Sequence, residues 1–185
     1  HKHLRDGWSV FNPELGEFIT PIPPQMRAGQ TWYASGVDAV AQNRYLLERS
    51  HADLVLLLAG DLIYRMDYAE LIRAHRETGA EITLAARSAT VAAGVTELKL
   101  DGDGRVQDLV AVGAAQAEAE GNRALPAAMG VCVIDKALLL EVLDHGPSQV
   151  DGAGSPAGDT GADPWPDLIA PLTASRRVLA YRFGE

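Results

Sequence analysis

An uninterrupted run of six apolar residues, Leu54 to Ala59, constrains the fold of this chain more than any other feature. Such a run is typical of a parallel strand that is covered on both faces. It stops at Gly60-Asp61, which puts a carboxylate where the strand ends. Ligands of open α/β sheets bind at that carboxyl edge. We therefore predict that Asp61 faces a binding site, with a turn or capping aspartate as the structural alternative.

The residues that follow this strand predict a capped helix and a second strand. Asp67 is suited to the N-cap, Glu70 stands three residues further on, and Gly79 is suited to the position after the C-cap. Residues 81–86 are again apolar enough for a buried strand. The order strand, helix, strand with short loops predicts a right-handed parallel crossover.

The pattern of the chain changes after this crossover. Residues 96–100 alternate between polar and apolar side chains, and residues 101–104 have the sequence of a turn. Residues 106–112 can pair with the first segment as a second strand, which predicts a β-hairpin with one face in water. Residues 129–134 and 178–183 predict two further strands. The expected fold class is α/β: a Rossmann-like, mostly parallel sheet flanked by helices, with an added β-hairpin.

Length and composition exclude several classes of protein. The 185 residues suffice for one sizeable core, and a formal net charge of −9 argues against binding to nucleic acid or to an anionic membrane surface. A metal ion or a local basic cluster can still hold a phosphate ligand. The single cysteine, Cys132, lies in an apolar run and is expected to be a buried thiol. With no membrane span or signal peptide recognisable, we expect a cytoplasmic protein.

Two segments carry a resemblance to a known family. Leu58 to Tyr68, which reads Leu-Ala-Gly-Asp-Leu-Ile-Tyr-Arg-Met-Asp-Tyr, and Trp32 to Asn43 resemble the ADP-glucose pyrophosphorylases (glucose-1-phosphate adenylyltransferases). The resemblance implies a nucleotide-diphospho-sugar transferase fold. It also implies an enzyme that makes ADP-glucose from ATP and glucose-1-phosphate for glycogen-type synthesis. It also implies Mg²⁺ as cofactor, Asp61 as the catalytic metal ligand, and a homo- or hetero-oligomer in the complete protein.

The same resemblance implies a nucleotide site at the start of a helix over residues 38–49. Its members are Trp32, Tyr33, Ser35, Gly36 and Asp38. The family has a glycine where this chain has the serine, and the glycine here stands one position later. The packing alternative is an aromatic pair in the core, with the aspartate as a plain N-cap.

The sugar-phosphate site implied by the resemblance is only partly retained. Gly94 and Asp163 match the family, whereas a glutamate and a lysine of the family are replaced by Ala111 and Val112, and a serine by Ala128. A lysine there would act as a mobile charge on the phosphate. We therefore expect the isolated chain to bind sugar phosphate weakly.

Arg105 or Arg123 is a candidate to replace the missing lysine. By resemblance, residues 1–185 are a partial nucleotidyltransferase domain without the glycine-rich loop, the second aspartate or the C-terminal β-helix of the family. Residues 147–166 are rich in Gly, Ser, Pro and Asp, and this composition predicts a flexible surface loop. The isolated chain is expected to be inactive. Three interpretations stay open: part of a working enzyme, a non-catalytic relative that serves as regulatory or partner subunit, and a transferase for another sugar.

Overall fold

The computed structural model divides the chain into two compact units, His1–Tyr33 and Ala34–Glu185. The helices and strands given below lie in the second unit. The residues that the structure describes are Gly7, 11–12, 17–22, 36–60, 63–144 and 166–184.

The described elements follow one another in an α/β order. They are α1 (Gly36–Gln42), α2 (Arg44–Arg49), β1 (Leu54–Leu58), α3 (Tyr68–Thr78), β2 (Ile82–Thr90), β3 (Thr96–Leu100), β4 (Val106–Ala111), α4 (Ala114–Glu120), β5 (Ala124–Asp135), α5 (Lys136–Asp144), α6 (Pro166–Ile169) with a 3₁₀ turn (Ala170–Leu172), and β6 (Val178–Arg182).

One six-stranded sheet organises these elements, in the order β4-β3-β5-β2-β6, with β1 also paired to β5. The long strand β5 is antiparallel to β2 on one side. On its other side it pairs with β1 and, nearer its start, with β3. The only parallel neighbours among the described strands are β2 and β6. The α/β fold with helices on the sheet and an added β3–β4 hairpin is confirmed, but the sheet is mixed.

The predicted parallel crossover connects β1 to β2, but these two strands are not neighbours in the sheet, because β5 lies between them. Both strands pair with Cys132 of β5, through Leu57 on one side and Leu84 on the other. They run in the same direction because each is antiparallel to the strand between them. A continuous apolar run predicts that a strand is covered by other elements. It does not predict whether the neighbouring strand is parallel or antiparallel to it.

Helices cover both faces of the sheet. The α5-side core joins the inward residues of β1, β2 and β5 to Leu138, Leu139 and Ile169, and Val40 of α1 packs against it. The α3-side core is centred on Leu71. The predicted buried thiol of Cys132 is confirmed, since that residue is fully buried.

Helix α3 forms as its sequence predicts. The Asp67 side chain accepts a hydrogen bond from Ala69 N at 2.9 Å, and Gly79 ends the helix with φ 61°. On the buried face, His75 Nδ1 lies 2.9 Å from Thr83 Oγ1 of β2, and its Nε2 lies 3.3 Å from Asp135 Oδ1 at the end of β5. These contacts fix α3 against two strands of the sheet.

Two segments differ from the sequence-based prediction. The single helix expected over residues 38–49 breaks at Asn43, whose Nδ2 donates to Ala39 O at 2.8 Å. The alanine-rich segment between β4 and β5, for which the sequence predicts no helix or strand, forms α4. Strand β5 then starts at Ala124, five residues before the start of the predicted strand. No helix in the part of the chain that the structure describes is long and apolar enough to cross a membrane.

Candidate functional site

The end of β1 is an open edge of the sheet. Strand β1 finishes at Leu58, and Ala59 N donates to Gly130 O of β5 at 2.8 Å. Gly60 is exposed, and a Cβ added there would meet no atom within 4 Å. Asp61 itself lies outside the described residues, so its catalytic and metal-binding role stays a prediction. The structure shows an accessible strand end immediately before it.

The segment between this edge and α3 combines an exposed and a fixed part. Ile63 is fully exposed. Next to it, the Tyr64 and Tyr68 hydroxyl oxygens lie 3.0 Å apart, and the two rings meet edge to face. Burial, and then the hydrogen bond to Tyr68, raises the pKa of Tyr64 to about 12. This tyrosine pair connects the end of β1 to the first turn of α3.

The predicted nucleotide residues are only partly within the described chain. Trp32, Tyr33 and Ser35 lie outside it, whereas Gly36 is the exposed first residue of α1. The carboxylate oxygens of Asp38 accept from Gln42 Nε2 at 3.1 and 3.0 Å. The alternative of Asp38 as N-cap is wrong, because α1 starts two residues before it.

The end of the hairpin brings together three of the positions implied for the sugar phosphate. Gly94 has φ 82°, and its N–H donates to Val112 O at 3.0 Å. Val112 N in turn donates to Val95 O at 2.8 Å, and Ala111 is the register partner of Thr96. The retained glycine therefore lies directly beside the positions that lack the acid and the base. Asp163 lies outside the described residues.

Val112 does not face the same side as Ala111. Its side chain is 2% exposed and belongs to a small apolar cluster with Ala89, Leu125 and Ala127. Side chains alternate along a strand, so Ala111 shares the face of Leu109, which belongs to the α5-side core. The position aligned with the lysine of the family is thus occupied by a packed apolar residue.

Ala128 lies in a row of aligned positions on the α5 side. It is the register partner of Ala86 in β2, and Ala86 is the register partner of Arg182 in β6. Cross-strand partners project to the same face of a sheet. Ala86 belongs to the α5-side core and Ala128 packs against it, so Arg182 projects to that face as well.

A cavity of about 210 Å³ opens at the end of this row, where β6 stops and β2 continues. Its described lining includes two arginines and no acidic residue. The lining residues are Ala86, Arg87, Ser88, Ala124, Leu125, Pro126 and Arg182. Neither arginine could be assigned to this cavity from the sequence, since only the register between β2, β5 and β6 brings them to this place.

The two cations that the sequence offered as replacements are already bound to protein groups. Arg105 Nη2 donates to Thr173 O at 3.4 Å and to Arg176 O at 3.3 Å. Arg123 lies 3.0 Å from Glu97 Oε1 and 2.6 Å from Glu120 Oε2. Neither arginine is placed to replace a lysine at Val112 without giving up these contacts.

No group of three or more His, Cys, Asp or Glu side chains that could hold a metal ion occurs among the described residues. Asp61 and Asp163 both lie outside that part of the chain. The predicted Mg²⁺ therefore stays a prediction, carried by the position of Asp61 after the end of β1.

Comparison with known proteins finds a family model that matches part of the chain and relatives that match nearly all of it. Residues 21–110 match the family model of the nucleotidyl transferases. The chain is 38% identical over 191 residues to glucose-1-phosphate adenylyltransferase 2 of Vibrio parahaemolyticus, and the match covers 98% of this chain and 44% of the relative. A glucose-1-phosphate adenylyltransferase 2 of Alkalilimnicola ehrlichii is 34% identical over 188 residues, covering 100% of this chain and 42% of the relative.

Another similar protein shows that the likeness is unevenly distributed. Glucose-1-phosphate adenylyltransferase 2 of Vibrio vulnificus is 58% identical over 84 residues, which is 45% of this chain and 21% of the relative. The chain spans less than half the length of the relatives that it matches from end to end. Residues 21–110 thus carry a match to the nucleotidyl transferase family model, and the curated relatives that match nearly the whole chain are glucose-1-phosphate adenylyltransferases.

Proposed function

We propose that this chain is part of the catalytic domain of a glucose-1-phosphate adenylyltransferase, which makes ADP-glucose from ATP and glucose-1-phosphate for glycogen-type synthesis. The observation that carries the proposal is the open end of β1, where the exposed Gly60 precedes Asp61. The names of the relatives support the choice of substrates. The complete protein would be a cytoplasmic oligomer.

The reaction requires little covalent chemistry from the side chains of the protein. A phosphate oxygen of glucose-1-phosphate attacks the α-phosphorus of ATP, a new P–O bond forms, and the bond to the leaving pyrophosphate breaks. Because the attacking oxygen is already an anion, no general base is needed. Catalysis then depends on positioning and on neutralising charge around the α-phosphate.

Asp61 is the residue that we assign to the metal. Mg²⁺ is commonly held by one or two carboxylates together with water and substrate phosphates, and when bound it would neutralise charge on the nucleotide. A single aspartate at a strand end fits this mode of binding better than an all-protein cage. A second carboxylate would come from outside the described residues.

The nucleotide would lie against the start of α1. Gly36 has no side chain, which would allow the nucleotide to come close to the backbone at this position. The bidentate contact between Asp38 and Gln42 holds the first turns of α1 in a fixed geometry. The resemblance also assigns Trp32, Tyr33 and Ser35 to nucleotide binding.

A specific observation favours a second candidate, a non-catalytic relative that acts as regulatory or partner subunit. Val112 is packed in an apolar cluster at the position where the family has a sugar-phosphate lysine. A lysine cannot occupy that place without burying its ammonium group, which is costly unless it is paired. This candidate predicts a protein that binds nucleotide but does not turn it over.

The proposal is tested on the full-length protein that contains this chain. ATP, glucose-1-phosphate and MgCl₂ are supplied, and ADP-glucose and pyrophosphate are measured by chromatography. Stoichiometric formation of both products is the expected result. Binding of ATP without product with glucose-1-phosphate or other sugar 1-phosphates would favour the non-catalytic candidate, and a failure to bind ATP would contradict both.

A further inference from the structure

Residues 63–68 connect the end of β1 to α3, and their side chains alternate between two environments. Positions 63, 65 and 67 are exposed, whereas positions 64, 66 and 68 are half-buried. The segment therefore presents one face to the protein and the other face to solvent. Asp61, the residue proposed to hold the metal, stands two positions before this segment in the sequence.

The chain on both sides of Asp61 is attached to the same part of β5. On one side, Ala59 N donates to Gly130 O at 2.8 Å. On the other side, Tyr64 and Met66 pack against the α3-side core, which contains the residues immediately before and after that glycine. The two attachments are close in sequence, and Asp61 stands between them.

A pair of hydroxyl groups fixes the second attachment. The Tyr64 and Tyr68 Oη atoms lie 3.0 Å apart, and the ring centroids lie 6.4 Å apart with an angle of 82° between the rings. Tyr68 is the first residue of α3, which Asp67 caps. Hydroxyl groups of half-buried tyrosines need a hydrogen-bond partner, and here each one is the partner of the other. Two phenylalanine rings could also pack here, so the hydroxyl pair adds a defined position to the contact.

We propose that the hydrogen bond between Tyr64 and Tyr68 positions the segment that carries Asp61, which makes Tyr64 a positioning residue for the Mg²⁺ of the proposed reaction. This inference rests on the proposed function, because it concerns how the metal ligand of that same site is held. Neither hydroxyl group needs to touch metal or substrate, since both act through the backbone between Tyr64 and Asp61.

The coordination chemistry of magnesium makes such positioning matter. Mg²⁺ requires nearly ideal octahedral geometry, with oxygen ligands at about 2.1 Å. A carboxylate on a less firmly held segment binds the ion more weakly, because part of the binding free energy is used to order that segment. Once the ion is bound, the reacting groups are arranged as before. Loss of the hydroxyl pair should therefore weaken metal binding and leave turnover at saturating Mg²⁺ nearly unchanged.

Nucleotide titrations on the full-length protein test this assignment. An ATP analogue with a methylene group between the α- and β-phosphates is titrated by calorimetry with and without MgCl₂, and the ratio of the two dissociation constants gives the contribution of the metal. In Tyr64→Phe and in Tyr68→Phe this ratio should fall by about two- to tenfold, the range that corresponds to one neutral hydrogen bond. The double variant should lose no more than either single variant, because the two hydroxyl groups form one bond. Binding without Mg²⁺ should not change.

Tyr181→Phe is the matched control, because Tyr181 is a half-buried tyrosine of β6 that packs against the same core. It should keep the wild-type ratio. Steady-state kinetics supply a second measurement, made like the titrations below the melting temperature of every variant. The Mg²⁺ concentration that gives half the maximal rate should rise in both hydroxyl variants, while kcat at saturating Mg²⁺ stays within about twofold of the wild type.

The outcomes separate this inference from the proposed function. A wild-type metal contribution in either single hydroxyl variant, or an equal loss in the Tyr181→Phe control, overturns the inference alone. A lower kcat at saturating Mg²⁺ with an unchanged ratio overturns it as well. If Mg²⁺ makes no contribution to nucleotide binding by the wild type, the inference and the metal assignment of the proposed function fail together.

Discussion

Glu97 shows at the scale of one residue how the hairpin tolerates a buried charge. Its side chain is 3% exposed, and its two carboxylate oxygens lie 3.0 Å from Arg123 Nη1 and 2.7 Å from Lys99 Nζ. The hydrogen bond from Arg123, and then the contact with Lys99, holds the pKa of Glu97 below its ordinary value of 4.5. Removing either partner would leave a buried charge incompletely compensated.

This lowered pKa predicts a pH-dependent contribution to stability. A carboxyl group with a depressed pKa in the folded state stabilises the fold above its unfolded pKa, and that stabilisation is lost as the pH falls through the folded pKa. The variant Glu97→Gln should therefore unfold at lower urea concentration than the wild type at pH 7, and the difference should shrink below about pH 4.5. A difference that stays constant from pH 7 to pH 3 would contradict the assigned cause.

The sequence alone predicts the role of a residue when that role depends on residues close to it in sequence. The capping by Asp67 and Gly79 follows from residues within one helix, and both are confirmed. Asp38 was misjudged as a possible N-cap because α1 starts earlier than the sequence suggests. The row that Arg182 forms with Ala86 and Ala128 could not be recognised, since it depends on strands that are distant in sequence.

At the scale of elements, the end of α3 offers a clean test of backbone conformation. Gly79 has φ 61°, and a Cβ added there would meet no atom within 4 Å. The substitution Gly79→Ala should therefore cost only the strain of a left-handed backbone, about 1 kcal/mol of the free energy of unfolding.

The matched control for this prediction is Gly102→Ala in the hairpin turn. A Cβ at Gly102 also meets no atom within 4 Å, but the backbone there lies outside the left-handed region. Urea titrations should show a loss for Gly79→Ala and little change for Gly102→Ala. Equal losses in both variants would contradict backbone strain as the cause of the cost at Gly79.

The sequence does not determine whether neighbouring strands run parallel or antiparallel to each other. The apolar run of β5 correctly indicated a buried strand, and the alternation in residues 96–100 correctly indicated a hairpin. The prediction that β1 is covered on both faces is wrong for the described chain, because β1 is mostly half-buried and Leu58 is 44% exposed. The position of β5 between β1 and β2 depends on a pairing of residues more than 70 positions apart. Local patterns of hydrophobicity carry no record of such a pairing.

At the scale of the whole molecule, the family assignment and the individual site residues have different support. The α/β fold, the family match and the relatives agree with the resemblance seen in the sequence. The site residues are different, because Val112 is packed in an apolar cluster at the position aligned with the lysine of the family. Packing and register decide where charge is available, and neither follows from matching residues one by one.

The central claim is that the end of β1 carries the metal-binding aspartate of an adenylyltransferase. Its most direct test compares Asp61→Asn with Asp103→Asn, a control in the hairpin turn, both in the full-length protein and at saturating Mg²⁺. Removing the charge that positions the metal should lower kcat for ADP-glucose formation by at least about 100-fold, while the control keeps wild-type turnover and both variants keep the wild-type melting temperature. Wild-type turnover in Asp61→Asn would contradict the claim.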